Sequence, residues 1–115
     1  MQQFANHAEC PRETVVPGHV ERQVKSYDRG LMVVEVAFSD GAQGDEHTHV
    51  HEQISYCLEG SFDYHVGQTH YHMEPGDTIY VPTNQPHGCR LLTPHGRLLD
   101  IFTPFREDFV KKGQD

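Results

Sequence analysis

Between Gly41 and Gly60 the chain reads His47-Thr-His49-Val-His51-Glu-Gln53, four side chains with nitrogen or oxygen donors spaced two apart. Alternate residues of a strand share a face, so His47 and His49 point the same way, and His51 and Gln53 keep that parity if the strand stays regular. Two imidazoles about 7 Å apart on one face can converge on a single cation when the strand twists and a neighbour brings another ligand. Taken alone, a His-x-His pair is equally consistent with solvated strand residues, and His51 competes for a ligand place.

A second chemical stretch lies near the end of the chain. Asp100 sits inside the apolar run Leu98-Leu99-Asp100-Ile101-Phe102, where an unpaired carboxylate is costly to bury. Alternation puts Leu98, Asp100 and Phe102 on one face. If that face looks inward, the acid lies near the cation site. The plainer alternatives are an ion pair with Arg97 or Arg106, or an exposed strand edge. Arg106, following Pro104, is either a binding guanidinium or a surface cap for Glu107 or Asp108.

The elements that must carry these residues are short strands. From Val20 onward, β-type runs alternate with turn signals at a spacing of roughly ten residues, which predicts a sandwich or barrel. The runs are Val20–Tyr27, Leu31–Phe38, Gln53–Leu58, Ser61–Val66, Thr69–Met73, Thr78–Val81, His87–Leu92 and Arg97–Thr103. Residues 1–18, broken by Pro11, Pro17 and Gly18, read as an extended arm, and residues 19–115 as one domain. Arg106–Lys112 predicts one short helical turn. Eight or so strands in one small domain imply an all-β jelly roll or closed barrel, because such folds manage exposed sheet edges. Tyr64 and Tyr80 are expected to fill the barrel, and Cys57 and Cys89 to be packing residues.

Composition narrows the function. A formal net charge of −8 argues against nucleic acid as partner, since phosphate binding needs a basic face. An anionic ligand would need a local metal or a specific arginine to attract it. No apolar run approaches the ~20 residues that cross a bilayer, and the start has no basic and apolar leader pattern, so no membrane role or secretion is expected. Three cysteines without C-x-x-C spacing suggest a reducing cytoplasm. A domain of 115 residues leaves much surface wet, which makes a homodimer a natural expectation.

The spacing of the histidines resembles that of the cupin superfamily. Its first motif is matched by Gly41, His47, His49, position 53 and Gly60, and its second by Gly76, Pro82 and His87, with Asn84 in a glycine place. Asn tolerates left-handed backbone angles better than most residues. Two departures stand out: Gln53 replaces the usual Glu, and Leu91 replaces a closing Asn. An amide is a weaker ligand than a carboxylate and cannot act as a general base, but it still offers an oxygen. The resemblance implies one divalent metal (Zn, Ni, Fe, Co or Mn) held by His47, His49, Gln53 and His87, a set that several first-row ions accept.

Nearly the whole chain after the arm resembles one cupin group, the KdgF-type pectin-degradation cupins that act on unsaturated uronates. The likeness runs through His47-Thr-His-Val-His-Glu-Gln53, Leu58-Glu-Gly60, Glu74-Pro-Gly-Asp77, Pro86-His-Gly88, Asp100-x-Phe102 and Pro104-x-Arg106-Glu-Asp-Phe109. Gln in the fourth ligand place is a feature of that group. The resemblance implies conversion of 4,5-unsaturated monouronates, from pectate or alginate breakdown, into linear 4-deoxy-5-keto uronates. Asp100 would move the proton, Arg106 would hold the sugar carboxylate, and Phe102 would pack on the sugar face, beside a metal acting as Lewis acid. Two other classes stay open: a metal-dependent cupin dioxygenase and a non-enzymatic sugar-binding cupin.

Overall fold

Turn residues cut the chain into ten strands in a computed structural model that describes residues 1–110. In order they are β1 (Glu13–Val16), β2 (Val20–Asp28), β3 (Leu31–Ser39), β4 (Gln43–His47), β5 (Glu52–Glu59), β6 (Phe62–Val66), β7 (Thr69–Met73), β8 (Thr78–Val81), β9 (His87–Leu91) and β10 (His95–Thr103). A 3₁₀ turn, Glu107–Phe109, follows β10. Of the turn expected over Arg106–Lys112, Lys111 and Lys112 lie outside the described residues.

The strands form two sheets, ordered β1-β2-β3-β10-β5-β8 and β4-β9-β6-β7. Every strand pair is antiparallel. This is an all-β jelly roll, one of the two architectures that the strand spacing predicts. The inward faces alternate residue by residue, as on β5, where Gln53, Ser55 and Cys57 are buried and Ile54 and Tyr56 exposed. Phe38, Cys57, Phe62, Met73, Val81, Leu91 and Leu98 fill the space between the sheets. A smaller cluster of Tyr27, Met32, Val34 and Phe102 packs with Phe105 and Phe109 where the chain returns after β10.

Turn geometry holds the ends of these strands together. Gly60, at φ +76°, joins β5 to β6 in a backbone conformation that side-chain-bearing residues rarely adopt. A Cβ there would collide with the His95 carbonyl. Asn84 takes φ +61°, the left-handed angle that explains an Asn in that glycine place.

Two strands were not among the predicted runs. β1 lies within the segment read as an arm, and pairs with β2 of its own sheet. Gln2 bridges Tyr27, and Gln23 donates to the His7 and Cys10 carbonyls, so this segment follows β2 closely. Tyr80 is also corrected: it is 52% exposed on the outer face of β8, with its hydroxyl bonded to Glu52. Alternation gives the reason, since its neighbour Val81 takes the inward position.

Candidate metal centre and adjoining cavity

β4 ends at His47, and the chain leaves the sheet before β5 starts at Glu52. The regular strand expected to align His47 with His49 therefore does not form. His49 reaches the site from the connecting loop, and His87 arrives because β9 pairs with β4 in the register His47↔His87. The donor atoms of His47, His49 and His87 all lie within 4.8 Å of one another. The His87 ring centroid is 4.2 Å from that of His47 and 4.8 Å from that of His49.

Backbone carbonyls orient all three rings. Nδ1 of His47 lies 2.8 Å from the Asp45 carbonyl, that of His49 2.9 Å from His51, and that of His87 2.9 Å from Gln85. A carbonyl only accepts, so in the neutral rings Nδ1 carries the proton and Nε2 the lone pair. His87 Nε2 is buried and has no hydrogen-bond partner among the described residues. Burial holds the His87 pKa down at about 4 and lowers that of His49 as well, which keeps both rings neutral at ordinary pH.

Gln53 completes the donor set. Its Nε2 donates to Ser55 Oγ at 3.0 Å and Tyr64 Oη at 3.3 Å, leaving Oε1 turned to His49 Nε2 at 3.0 Å. With neutral rings, two acceptors facing each other repel unless a cation lies between them. Imidazole nitrogens sit about 2.0–2.1 Å from zinc, so donors on one ion are roughly 3 Å apart. The residues present thus fit a divalent cation. His51 is not among the residues whose donor atoms converge, although its ring lies 5.4 Å from that of His49, beside Phe102 at 6.4 Å.

Asp100 lies on β10 opposite Ser55 of β5, whose hydroxyl donates to Asp100 Oδ1 at 2.6 Å. Tyr64 Oη lies 3.0 Å from Ser55 Oγ and completes that hydroxyl's bonding by donating to it. A hydrogen-bond chain therefore runs from the Gln53 amide through Ser55 to Asp100, with the Gln53 carbonyl oxygen turned to the histidines. Burial pushes the Asp100 pKa up to about 6, against the lowering effect of its hydrogen bonds and of the nearby His47 and Arg106 charges. The ion-pair alternatives are not formed, because Arg97 bonds Glu59 and Glu35, and Arg106 bonds Asp108.

Part of Asp100 opens onto a cavity of about 350 Å³ between the sheets, which His47, Gln53, His87, Phe102 and Arg106 also line. That is within the size range of small-ligand sites. Phe102 is buried, with the Arg106 guanidinium 5.1 Å above its ring centroid. One edge of the Arg106 guanidinium, Nε and Nη2, is taken up by Asp108 at 3.0 and 2.8 Å.

Ser55 and Tyr64 are the site residues that sequence reasoning passed over. The parity of Gln53 and Ser55 on β5 was a usable signal for the first; nothing local marked the second as more than filling. Cys57 and Cys89 pack as expected, and burial raises both thiols, Cys89 to about 12.

Gly88 couples the fold to the site. A Cβ at this position would lie 2.7 Å from the Gly44 carbonyl, a backbone atom on the strand that carries His47. Gly88→Ala is expected to separate β4 from β9 and weaken metal binding by about 10–100-fold, the size of effect seen when ligand orientation is disturbed. Calorimetric titration of the metal-free variant with Zn²⁺ or Ni²⁺ checks this, and unchanged affinity would refute it.

This fold and cluster agree with the comparisons to known proteins. Residues 34–102 match the Cupin domain family. Pectin degradation protein KdgF of Dickeya dadantii (strain 3937) is 32% identical over 111 residues, covering 96% of this chain and all of that protein. The structure of KdgF from Halomonas sp. superposes with a TM-score of 0.89 at 32% identity, over 96% of this chain and 100% of that one. An RmlC-like cupin from Shewanella frigidimarina NCIMB 400 gives a TM-score of 0.90 at 35% identity, over 96% and 97% of the two chains. The chain belongs to the cupin family and, within it, to the KdgF-type pectin-degradation cupins. No helix among the described residues is long and apolar enough to cross a membrane.

Proposed function

We propose that this protein opens 4,5-unsaturated monouronates, released from pectate or alginate, to linear 4-deoxy-5-keto uronates. The observation that carries the reading is three convergent imidazoles and the Gln53 carbonyl at one cavity with a half-buried acid, Asp100, to which the Gln53 amide is linked by hydrogen bonds through Ser55. Likeness to KdgF proteins over nearly the full chain supports the substrate class.

His47, His49, His87 and Gln53 would hold one divalent ion, with Zn, Ni, Fe, Co and Mn all compatible with the donors. Such an ion supplies Lewis acidity where negative charge develops on oxygen. Asp100, as carboxylate, takes the proton of the anomeric hydroxyl while the C1–ring oxygen bond breaks and C1 becomes a carbonyl. The freed oxygen is left as the C5 enolate, and the proton returned to C4 yields the 5-keto product. Nothing is oxidised or reduced overall. Phe102 packs against the sugar face, and the positive charge of Arg106 offsets that of the substrate.

Such substrates absorb in the ultraviolet through the C4–C5 double bond. The metal-loaded protein is expected to accelerate the decay of that absorbance at least tenfold over a metal-stripped control, without oxygen uptake. A rate equal to the blank across several uronates would sink the proposal; turnover coupled to oxygen consumption would point to a dioxygenase instead. A cytoplasmic homodimer belongs to the same proposal. Exposed Ile54, Tyr56 and Tyr80 on the β5–β8 face support self-association, which light scattering can test.

A further inference from the structure

A second guanidinium, also set over the Phe109 ring, lines the same cavity. Arg22 on β2 has the parity of buried Val20 and shares the cavity wall with His47, Asp100 and Arg106. Its Cζ lies 3.9 Å from the Phe109 ring centroid, and that of Arg106 lies 4.1 Å from the same centroid. The two cations differ in what their donors already do. Arg106 gives one full edge of its guanidinium, Nε and Nη2, to Asp108. Arg22 makes one long contact, 3.4 Å to Glu13 Oε2, and its Nε is buried without a hydrogen-bond partner among the described residues.

A buried N–H with no acceptor is unfavourable unless a ligand completes it. Here the incomplete donor belongs to a planar fork, the geometry that matches a carboxylate, and stacking on Phe109 limits how that plane can turn. The chain as a whole carries a net charge of −8, so an anion must find its attraction locally. We propose, resting on the uronate reading above, that Arg22 donates the hydrogen bonds that hold the substrate carboxylate. Arg106 stays paired with Asp108 and contributes charge to the cavity. Arg22 is then a specificity residue: it distinguishes a uronate from its uncharged counterpart.

The test compares full-length wild type with Arg22→Met, Arg22→Lys and Arg106→Met. The substrates are an unsaturated monouronate and its methyl ester, and D-galacturonate serves as a binding probe that needs no turnover. Arg22→Met is expected to raise KM for the uronate, and Kd for galacturonate, at least tenfold, with a smaller change in kcat. Its preference for uronate over ester collapses, whereas Arg106→Met, which removes charge but no carboxylate hydrogen bond, lowers that preference by a clearly smaller factor. Arg22→Lys, which keeps the charge without the fork, recovers only part of the loss and serves if the Met variant folds poorly. An unchanged uronate-to-ester ratio in Arg22→Met, with uronate turnover intact in wild type, overturns the Arg22 assignment alone. Galacturonate binding that depends on Arg22, without turnover of any unsaturated uronate, upholds the carboxylate site and removes the function. Neither binding nor turnover in wild type overturns both.

Discussion

Asp100→Asn is expected to lower turnover of an unsaturated monouronate by about 10²–10⁴-fold, the usual contribution of a positioned proton-transfer group. Asn keeps the volume of the side chain and can still accept the Ser55 hydroxyl that bonds Asp100 at 2.6 Å, so the cavity should keep its shape. What it cannot do is take a proton from the anomeric hydroxyl. Metal content and galacturonate affinity should therefore stay near wild type while kcat falls. A variant that retains most of its rate would remove Asp100 from the chemistry.

The same substitution carries a pH signature in the metal-free protein. Burial raises the Asp100 pKa from 3.8 to about 6, so the folded protein holds this proton more tightly than the unfolded chain does. The stability contributed by protonated Asp100 is fully present below pH 3.8 and is lost as pH rises through 6. Wild type should thus lose Tm relative to Asp100→Asn as the pH is raised from about 4 to about 7. A wild-type Tm that stays constant relative to that of Asp100→Asn, or rises relative to it with pH, would contradict the assignment.

Removing the metal is the second large effect. Chelation is expected to abolish turnover and to lower thermal stability, because a ligand that binds only the folded state adds about 4 kcal/mol at a thousandfold excess over Kd. His87→Ala should reproduce the loss of activity and cancel the metal-dependent rise in Tm, since His87 offers a buried lone pair with no partner among the described residues. His70→Ala is the control. That ring is exposed and bonded to Asp63, and its loss should leave both readouts unchanged. A His87→Ala protein that still gains stability from added metal would disprove the ligand assignment.

Much of the frame was legible from residue order. Turn residues marked eight strands close to their observed bounds, and alternation placed Leu98, Asp100 and Phe102 on one wall of the cavity. β4 escaped notice because Gln43-Gly-Asp-Glu-His47 holds no β-branched or aromatic residue. It is a strand because β9 supplies its hydrogen-bond partners. β1 is likewise defined by its pairing with β2.

The site divides in the same way. Motif spacing singled out His47, His49, Gln53 and His87, since spacing is written in the chain itself. Their convergence was not: His49 leaves the strand, and the His47↔His87 register comes from residues 40 positions apart in number. Asp100 was legible as an acid in an apolar run, but its partner was not. The nearby arginines went to Glu35, Glu59 and Asp108, and the bond came from Ser55, 45 residues away. Periodicity and turn chemistry are local properties, so the sequence by itself determined which side chains face inward. Which of those side chains meet depends on strand register and loop path, set by long-range pairing, and that was decided only in the tertiary structure.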